Sequence, residues 1–284
     1  MSKVLELFGA STSPKGPDWK RLVEKQFCPY LSRRCIKVRK SRPEVSIGTC
    51  SVSYGTAKDP VIICPFRLLE RKQIFTDCIH LLTTHEVGNE LHIVPEISVP
   101  GGSVDYFLAS VKNRKVKDFV GVELQTLDTT GTVWPERQRF LKEVGLRVDR
   151  RSAESDKGFG MNWKMTAKTI LVQLHHKIRT FEYVNKHLVL AVQDNLLKYM
   201  RKEFKFSHLS QARLGDPMHI HSYKMSKQEN GTFRLDLDSR WSTDTNGIGT
   251  CLGLKAEPKV ELQDLIALLE AKISHETLFV LDTR

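Results

Sequence analysis

Four cysteines lie close together in the first quarter of this 284-residue chain, in a stretch with few apolar residues. They are Cys28, Cys35, Cys50 and Cys64, and many of the residues between them are Ser, Arg and Lys. Such a segment would bury little apolar surface, whereas four thiolates around one ion would cross-link it. Zinc and iron both suit a site made only of sulfur. Because the spacing contains no CxxC pair, four unrelated buried cysteines are the alternative.

The cellular compartment determines how the cysteines are interpreted. The chain contains no apolar run long enough to cross a membrane, and its first residues, MSKVLELFGASTSPK, lack the apolar region of a signal peptide. We therefore predict a cytoplasmic protein in which the six cysteines are thiols. Cys78 lies at helical spacing from Ile74 and Leu82, which predicts core packing, and Cys251 is predicted to be a buried strand residue.

The charge of the chain indicates the class of its partner. Lys and Arg number 44 against 33 Asp and Glu, which gives a net charge of +11. This balance favours a polyanion, either nucleic acid or an anionic membrane surface. The hydrophobic fraction of 40% and the charged fraction of 27% are those of a folded soluble protein, and they exclude wholesale disorder or a fibrous repeat.

Hydrophobic periodicity predicts a mixed α/β chain. The pattern indicates helices over 67–86, 163–183, 196–204 and 260–273, and strands over 91–99, 103–111, 118–127, 187–195 and 233–241. The three consecutive strands from 91 to 127 predict a meander. Asn162 is placed to cap the helix that follows it. The polar segment 128–160 is predicted to be a long excursion with one short helix.

Two of the predicted neighbouring strands carry carboxylates that could face each other. In FVGVELQTL, Glu123 and Gln125 point to one face, and in SVDYFLASV the side chain of Asp105 is opposed to its apolar neighbours Val104, Tyr106 and Leu108. A hairpin centred on Arg114 would place Asp105 directly opposite Glu123, with both carboxylates on one face.

Opposed carboxylates need a cation between them or a raised pKa on one member. Mg²⁺ is the natural candidate, because it takes oxygen ligands and is commonly held by one or two carboxylates together with a substrate phosphate. A basic protein with such a site could hold a nucleic-acid backbone and hydrolyse a phosphodiester bond. The alternative is an ordinary polar strand face with Asp105 at a solvated edge.

The order of the four cysteines, the Asp105 strand followed by VELQTLD, and the NWK…QLHHK helix together resemble the NotI-like type II restriction endonucleases, which belong to the PD-(D/E)xK nuclease superfamily. The resemblance runs from FGAS near the start to about Met200. It implies an α/β restriction-endonuclease-like catalytic core over 67–200 with an insertion at 128–160. Residues 1–66 would form a four-cysteine metal-binding, DNA-contacting module, and residues 201–284 a C-terminal α/β appendage.

The resemblance also implies roles for individual residues. Asp105 and Glu123, with the Leu124 carbonyl, would bind Mg²⁺, and Glu96 matches a further acidic position. Gln125 takes the place of the superfamily lysine and, because an amide carries no charge, would orient the water or the phosphate. The four cysteines match a structural iron site, for which zinc is the other candidate.

Because the resemblance implies a nuclease, the basic segments RRCIKVRKSR and KNRKVK are candidate contacts to the DNA backbone. The predicted contacts are Arg33, Arg34, Lys37, Arg39, Lys40, Arg114 and Lys115. Lys164 and Lys168 could also reach the phosphate, although a solvated helix edge needs lysines too. The pair His219 and His221 would share a strand face, where core or surface histidines are favoured over metal ligands.

The implied activity is Mg²⁺-dependent, sequence-specific double-strand cleavage of DNA that leaves 5′-phosphates. Its expected partners are palindromic duplex DNA, a second copy of the chain in a homodimer, and a cognate DNA methyltransferase in a prokaryotic cytoplasm. One alternative is a non-catalytic DNA-binding protein whose cysteine-rich segment is stabilised by a bound metal ion. Another is an RNA-binding or RNA-processing protein, against which the aromatic content of 8% argues because single-strand recognition depends on stacking.

Overall fold

The computed structural model describes residues 2–13 and 16–254, and five further positions, 263, 266, 267, 270 and 271. Within these residues the chain is a mixed α/β protein built on a seven-stranded mixed sheet. The predicted helix over 260–273 lies outside the described residues except at those five positions.

The N-terminal segment consists of short strands and one helix. These are β1 (Val4–Leu7), β2 (Ala10–Ser11), α1 (Trp19–Lys25), β3 (Phe27–Cys28), β4 (Arg33–Arg34), β5 (Val38–Arg39), β6 (Arg42–Ser46), β7 (Thr49–Tyr54) and β8 (Asp59–Ile62). A four-stranded sheet has the order β2-β1-β7-β8, and β3–β4 and β5–β6 are separate antiparallel pairs. The polar composition of this segment thus produces small sheets rather than one apolar layer.

The helix predicted over 67–86 is wrong. The segment contains a 3-10 helix at Pro65–Lys72, the single α-helical turn α2 at Gln73–Thr76 and a second 3-10 turn at Ile79–Leu81. Arg71 and Lys72 have positive φ, which ends any regular helix there. Tertiary contacts outweigh helical propensity at this point, because the Arg67 guanidinium forms a buried ion pair with Glu6 at 2.8 Å.

The predicted meander is confirmed. It consists of β9 (Glu90–Val99), β10 (Gly102–Lys112) and β11 (Lys115–Gln125), all antiparallel. Tyr106 is opposite Val122 and Phe107 is opposite Gly121, which is the register of a hairpin centred on Arg114. A one-residue irregularity follows Ser110 near the tip. The chain therefore has the hairpin register expected from its alternation.

The insertion over 128–160 holds more regular structure than the single short helix predicted. Strands β12 (Thr129–Gly131) and β13 (Phe159–Met161) pair and close the base of the insertion, and between them lie α3 (Trp134–Glu143) and α4 (Arg150–Ala153). Trp134 and Phe140 are buried in α3, which explains how a polar segment is ordered.

A long helix and a parallel strand complete the core. Helix α5 (Trp163–Tyr183) connects the insertion to β14 (His187–Gln193), which pairs in parallel with β11. Gly121 lacks a Cβ, and a Cβ there would stand 2.5 Å from the Phe181 ring, so glycine lets α5 pack directly on β11. Asn162 precedes α5, but its side chain makes no capping hydrogen bond. Helix α6 (Asp194–Glu203) follows as predicted.

The chain after residue 201 joins the same sheet. It contributes β15 (Ser210–Gln211), β16 (Met218–Lys227) and β17 (Phe233–Thr243), followed by α7 (Thr245–Cys251). The order of the large sheet is β15-β17-β16-β14-β11-β10-β9. The boundary predicted at 201 falls within α6, and strands before and after it belong to this one sheet. The prediction of Cys251 as a strand residue is wrong because it ends α7. Among the described helices, none is long and apolar enough to cross a membrane.

Apolar side chains cover both faces of the large sheet. On one face, α5 and α6 bury residues such as Ile170, Leu174 and Leu190. On the other, the turns of 65–82 pack with Val122 and Val189, and Cys78 lies here with no exposed surface. Core packing of Cys78 is confirmed, although no regular helix carries it.

Asp118 ties the tip of this sheet together and gives a testable pH effect. Its buried carboxylate accepts hydrogen bonds from the Lys186 ammonium at 2.7 Å and the Thr84 N–H at 2.8 Å. Burial alone would raise the pKa of Asp118, but these bonds outweigh burial and hold the pKa below its ordinary value. Such a carboxylate stabilises the fold above its unfolded pKa of about 3.9 and loses that contribution as the pH falls further.

We expect Asp118→Asn to lower the free energy of unfolding at pH 7 by about 1.5–3 kcal/mol, the usual value of a hydrogen bond to a charged group. Urea unfolding of both proteins at pH 7 and near pH 3 measures the difference, which is expected to narrow at the lower pH. The exposed Asp156→Asn is the matched control. An equal deficit at both pH values would contradict the assignment.

Candidate functional site

The two predicted carboxylates lie at neighbouring positions on β10 and β11. The paired register of the hairpin ends with Tyr106 opposite Val122, and Asp105 and Glu123 are the residues that come directly beyond that pair on the two strands. The Leu124 N–H donates a hydrogen bond to Asp105 Oδ2 at 2.8 Å. The side chain of Asp105 thus binds the backbone of the neighbouring strand, which fixes its carboxylate beside that of Glu123.

Strand alternation is broken at Asp105. Val104 packs in the cluster under α5, whereas Tyr106 and Leu108 pack on the opposite face of the sheet. The expectation that Val104, Tyr106 and Leu108 share one face is therefore wrong. On the neighbouring strand β9, Glu96 has φ +51°, a strained value for a residue with a side chain. The broken alternation of β10 and the positive φ of β9 therefore both lie at predicted acidic site residues, Asp105 and Glu96.

Glu123 is buried and bonded to a lysine that the sequence prediction missed. Only 4% of Glu123 is exposed, and its Oε1 accepts a hydrogen bond from Lys177 Nζ at 2.6 Å. Lys177 belongs to α5 and is itself buried. Opposed carboxylates need a cation or a raised pKa, and this site has both.

The electrostatics of the pair follow from burial. Burial raises the pKa of Glu123 to about 7 against the opposing hydrogen bond from Lys177, and the charge of Asp105 adds to the rise. Asp105 retains contact with solvent, yet partial desolvation also raises its pKa. Glu96 adds to that rise, while the Leu124 N–H and Lys177 oppose it. The three acidic groups therefore share one local field with the Lys177 ammonium group.

A glycine turn holds α5 in the position that brings Lys177 to Glu123. Gly101 has φ +96°, and a Cβ there would stand 2.4 Å from the His176 carbonyl oxygen. Thr180 Oγ1 donates to the Pro100 carbonyl oxygen at 2.8 Å from the next turn of α5. Only glycine allows the turn to lie this close to the helix backbone.

Sequence periodicity contained a signal for Lys177. Its position falls three residues after Leu174 and four before Phe181, on the apolar stripe of α5. A lysine inside an apolar stripe needs a buried counter-ion. By contrast, Lys164 and Lys168 are exposed on the same helix, and no contact within the described part of the chain connects them to the carboxylates.

Gln125 lies at the wall of a polar cavity of about 330 Å³, whose lining residues do not include Asp105 or Glu123. Leu124, Asp128 and Gln173 line the same cavity, and Lys37 enters it from the N-terminal segment. Gln125 Nε2 donates to the Thr126 carbonyl oxygen at 2.7 Å, which leaves its amide oxygen able to accept a bond. The N-terminal segment thus reaches the predicted catalytic residues through Lys37.

The four predicted cysteine ligands lie around one small cavity of about 10 Å³, about the volume that one water-sized occupant needs. Each thiol is buried, and Cys50 Sγ donates to the Gly48 carbonyl oxygen at 3.4 Å. Burial raises the pKa of Cys50, and the neighbouring Cys64 adds to that rise. The quartet is therefore a cluster and not four scattered residues.

The ligand atoms at the two predicted metal sites are of the chemical type that the predicted ions prefer. Four thiols around one cavity suit zinc or iron, and two carboxylates that already face a cation suit Mg²⁺. Across the described ranges, however, no group of three His, Cys, Asp or Glu side chains lies close enough together to coordinate a metal ion. Metal ligation by the cysteine quartet, and by Asp105, Glu123 and Leu124, therefore stays a prediction.

The predicted DNA contacts occupy two regions. Arg33, Arg34 and Lys40 are exposed, and Lys37 and Arg39 half-buried, within the cysteine-rich segment. Arg114 and Lys115 lie at the tip of the β10–β11 hairpin, which strand rise places about 27 Å from Glu123. Of the predicted contacts, Lys37 of the cysteine-rich segment is the one that lines the same cavity as Gln125.

The histidine pair belongs to the core. His219 and His221 are at most 1% exposed, and their rings lie 6.3 Å apart on one face of β16. Burial lowers the pKa of His219 to about 4 and that of His221 to about 3, so both rings are neutral at physiological pH. A core position was one of the two interpretations favoured by the sequence.

Comparison with known proteins adds no assignment. No protein-family model matches the chain, and no curated protein matches it.

Proposed function

We propose that this chain is a divalent-metal-dependent DNA endonuclease of the PD-(D/E)xK type, similar to the NotI-like type II restriction endonucleases. The observation that carries the proposal is the buried Glu123 carboxylate beside Asp105, on a strand whose next two residues, Leu124 and Gln125, line a polar cavity. A buried carboxylate next to a second one is costly in free energy, and such arrangements cluster at functional sites.

Asp105, Glu123 and the Leu124 carbonyl would hold Mg²⁺, which when bound supplies a more acidic water and neutralises charge on the phosphate. Glu96 lies close enough to raise the pKa of Asp105 and would strengthen the negative field of the site. The free amide oxygen of Gln125 would accept a hydrogen bond from the attacking water and orient it. Lys37 would bring a positive charge to the phosphate in the same cavity.

Lys177 pairs directly with Glu123 at 2.6 Å, and its charge also acts on Asp105. Its ammonium compensates the buried Glu123 carboxylate and ties α5 to β11. Because Gln125 carries no charge, Lys177 is also the candidate for the positive charge that the superfamily lysine supplies. The same ion pair supports the second candidate function, a non-catalytic DNA-binding protein, because the lysine satisfies the carboxylate pair without a metal.

The proposed enzyme makes double-strand breaks at specific sites and leaves 5′-phosphates. Two-fold symmetric DNA sites are matched by two-fold symmetric proteins, so a homodimer and a palindromic site are part of the proposal. A cognate methyltransferase and a prokaryotic cytoplasm follow from the same resemblance. The cysteine quartet would hold a structural iron or zinc ion.

The test is incubation of the purified protein with plasmid DNA and Mg²⁺. Discrete fragments with 5′-phosphate ends are expected from the wild type. Glu123→Gln keeps the volume of the side chain but loses its charge. It is expected to reduce cleavage about 100- to 1,000-fold while retaining duplex binding in Ca²⁺, which is about the loss that follows removal of one strong transition-state contact.

Glu229→Gln is the matched control, since Glu229 is an exposed glutamate in the turn between β16 and β17, outside both cavities. It is expected to cleave at the wild-type rate. Binding by the wild type without any strand breaks would establish the non-catalytic alternative, and cleavage by Glu123→Gln would remove Glu123 from the mechanism.

A further inference from the structure

A large groove opens beside the site cavity, between the N-terminal strands and the insertion. Its volume is about 930 Å³. One wall is formed by residues 38–41, and the other by residues of the insertion between 131 and 157. The sequence prediction assigned DNA contacts to the first wall and none to the second.

Both walls carry positive charge. Arg39 and Lys40 line the first wall, and Arg151 and Lys157 line the second. Asp149 is the acidic residue among the lining residues, and it faces Arg39 at 3.7 Å. Four cationic side chains against one carboxylate make the groove attractive to a polyanion.

A tryptophan orients the cation on the first wall. The guanidinium of Arg39 stacks over the ring of Trp134 at 4.5 Å from the ring centre, and Arg137 approaches the same ring at 4.7 Å. Trp134 is 6% exposed and is fixed at the start of α3. Stacking on a fixed ring reduces the conformational freedom that an arginine loses when it binds phosphate.

The groove and the site cavity are lined by neighbouring residues of the same two chain segments. Lys37 lines the site cavity, and the next residues of the chain, from Val38 onward, line the groove. Asp128 lines the site cavity, and Gly131 lines the groove three residues later. Two continuous segments therefore connect the groove to Gln125, so a strand that lies in the groove is led into the site cavity.

We propose that this groove binds the sugar-phosphate backbone of duplex DNA and that the insertion supplies two of its contacts, Arg151 and Lys157. The inference rests on the proposed function and extends it by naming the binding track and the role of the insertion. The contacts are to phosphates, so they position the duplex without reading its sequence.

The test measures the affinity of the full chain for a fluorescently labelled 30-base-pair duplex of mixed sequence, by anisotropy in Ca²⁺ over a range of salt concentrations. Arg151→Ala/Lys157→Ala is expected to weaken binding at least 10-fold. Loss of two phosphate contacts should also make the slope of log K against log salt shallower by about 1.8. Both side chains are exposed, so the double variant should keep the wild-type melting temperature.

Lys224→Ala/Lys227→Ala is the matched control, because it removes the same charge from exposed positions of β16 outside the groove. It is expected to bind within twofold of the wild type. If the two double variants lose affinity equally, the groove is not the binding track, even where the wild type cleaves DNA.

The remaining outcomes separate the two proposals. Selective loss of affinity in the groove variant, from a wild type that never cleaves, would support the binding track and reject the nuclease. A wild type that binds no duplex would overturn both.

Discussion

Replacing Lys177 with methionine is expected to lower the free energy of unfolding by about 3–5 kcal/mol, the usual cost of removing one partner of a buried ion pair. Methionine matches the apolar stem of lysine but leaves the Glu123 carboxylate buried without its 2.6 Å partner. Urea unfolding at pH 9 measures the change, because the pKa of Glu123 is already about 7 beside Lys177 and the carboxyl must be ionised to be left unpaired. Lys168→Met, on an exposed turn of the same helix, is the control and is expected to change stability by less than about 0.5 kcal/mol.

Two further measurements test whether the loss of stability comes from the Lys177–Glu123 ion pair. In the Lys177→Met background, Glu123→Gln removes the unpaired charge and should recover a large part of the lost stability. Mn²⁺ should stabilise Lys177→Met more than it stabilises the wild type, because the ion no longer competes with the ammonium for the carboxylates. A variant as stable as the wild type would show that the ion pair contributes little. Equal Mn²⁺ effects on both proteins would show that Lys177 and the metal do not share a position.

Local alternation was sufficient to predict the centre of the fold. The hairpin over 102–125 has apolar residues at period two on β11 and a short basic turn between its strands, so its existence and its central register could be read from the sequence, although the break at Asp105 could not. Register in turn placed Asp105 beside Glu123. The helix at 163–183 was equally clear because its apolar stripe runs over many turns.

Features that depend on distant residues could not be predicted in this way. The 65–82 segment has helical spacing, yet the buried pair of Arg67 with Glu6 and the positive φ of Arg71 and Lys72 break it into turns. The strands after residue 201 extend the sheet beyond β14. Local periodicity cannot indicate this position, because it does not specify which strands pair. The pairing of Lys177 with Glu123 spans 54 residues, and only the presence of a lysine in an apolar stripe hinted at it.

The cysteine quartet was predicted from composition, and its clustering has a physical consequence that an experiment can measure. Four buried thiols share one cavity, in a segment whose strands are short and whose own sheet has four strands. Structural zinc in small thiolate sites contributes roughly 10–16 kcal/mol of binding free energy, which becomes folding free energy. A bound ion would therefore be among the largest stabilising contributions to residues 1–66.

We expect the purified wild type to carry about one iron or zinc ion per chain, measured by elemental analysis, since four thiolates satisfy one tetrahedral ion. Cys50→Ser is expected to lose most of this metal and to fold poorly. Because poor folding would itself release metal, a second measurement is needed on the wild type: a strong chelator should remove the ion and lower the melting temperature substantially. Cys251→Ser, at a buried thiol outside the quartet, is the control and should keep its metal.

The contrary result concerns the wild type alone and does not depend on how any variant folds. Wild-type protein that contains far less than one ion per chain, after expression with added iron and with added zinc, would reduce the quartet to ordinary core cysteines. In that case the basic N-terminal strands would be held by apolar contacts such as those of Leu7 and Phe8 with Cys28 and Cys35. The chelator would then leave the melting temperature unchanged, because no ion would contribute to the stability of the segment.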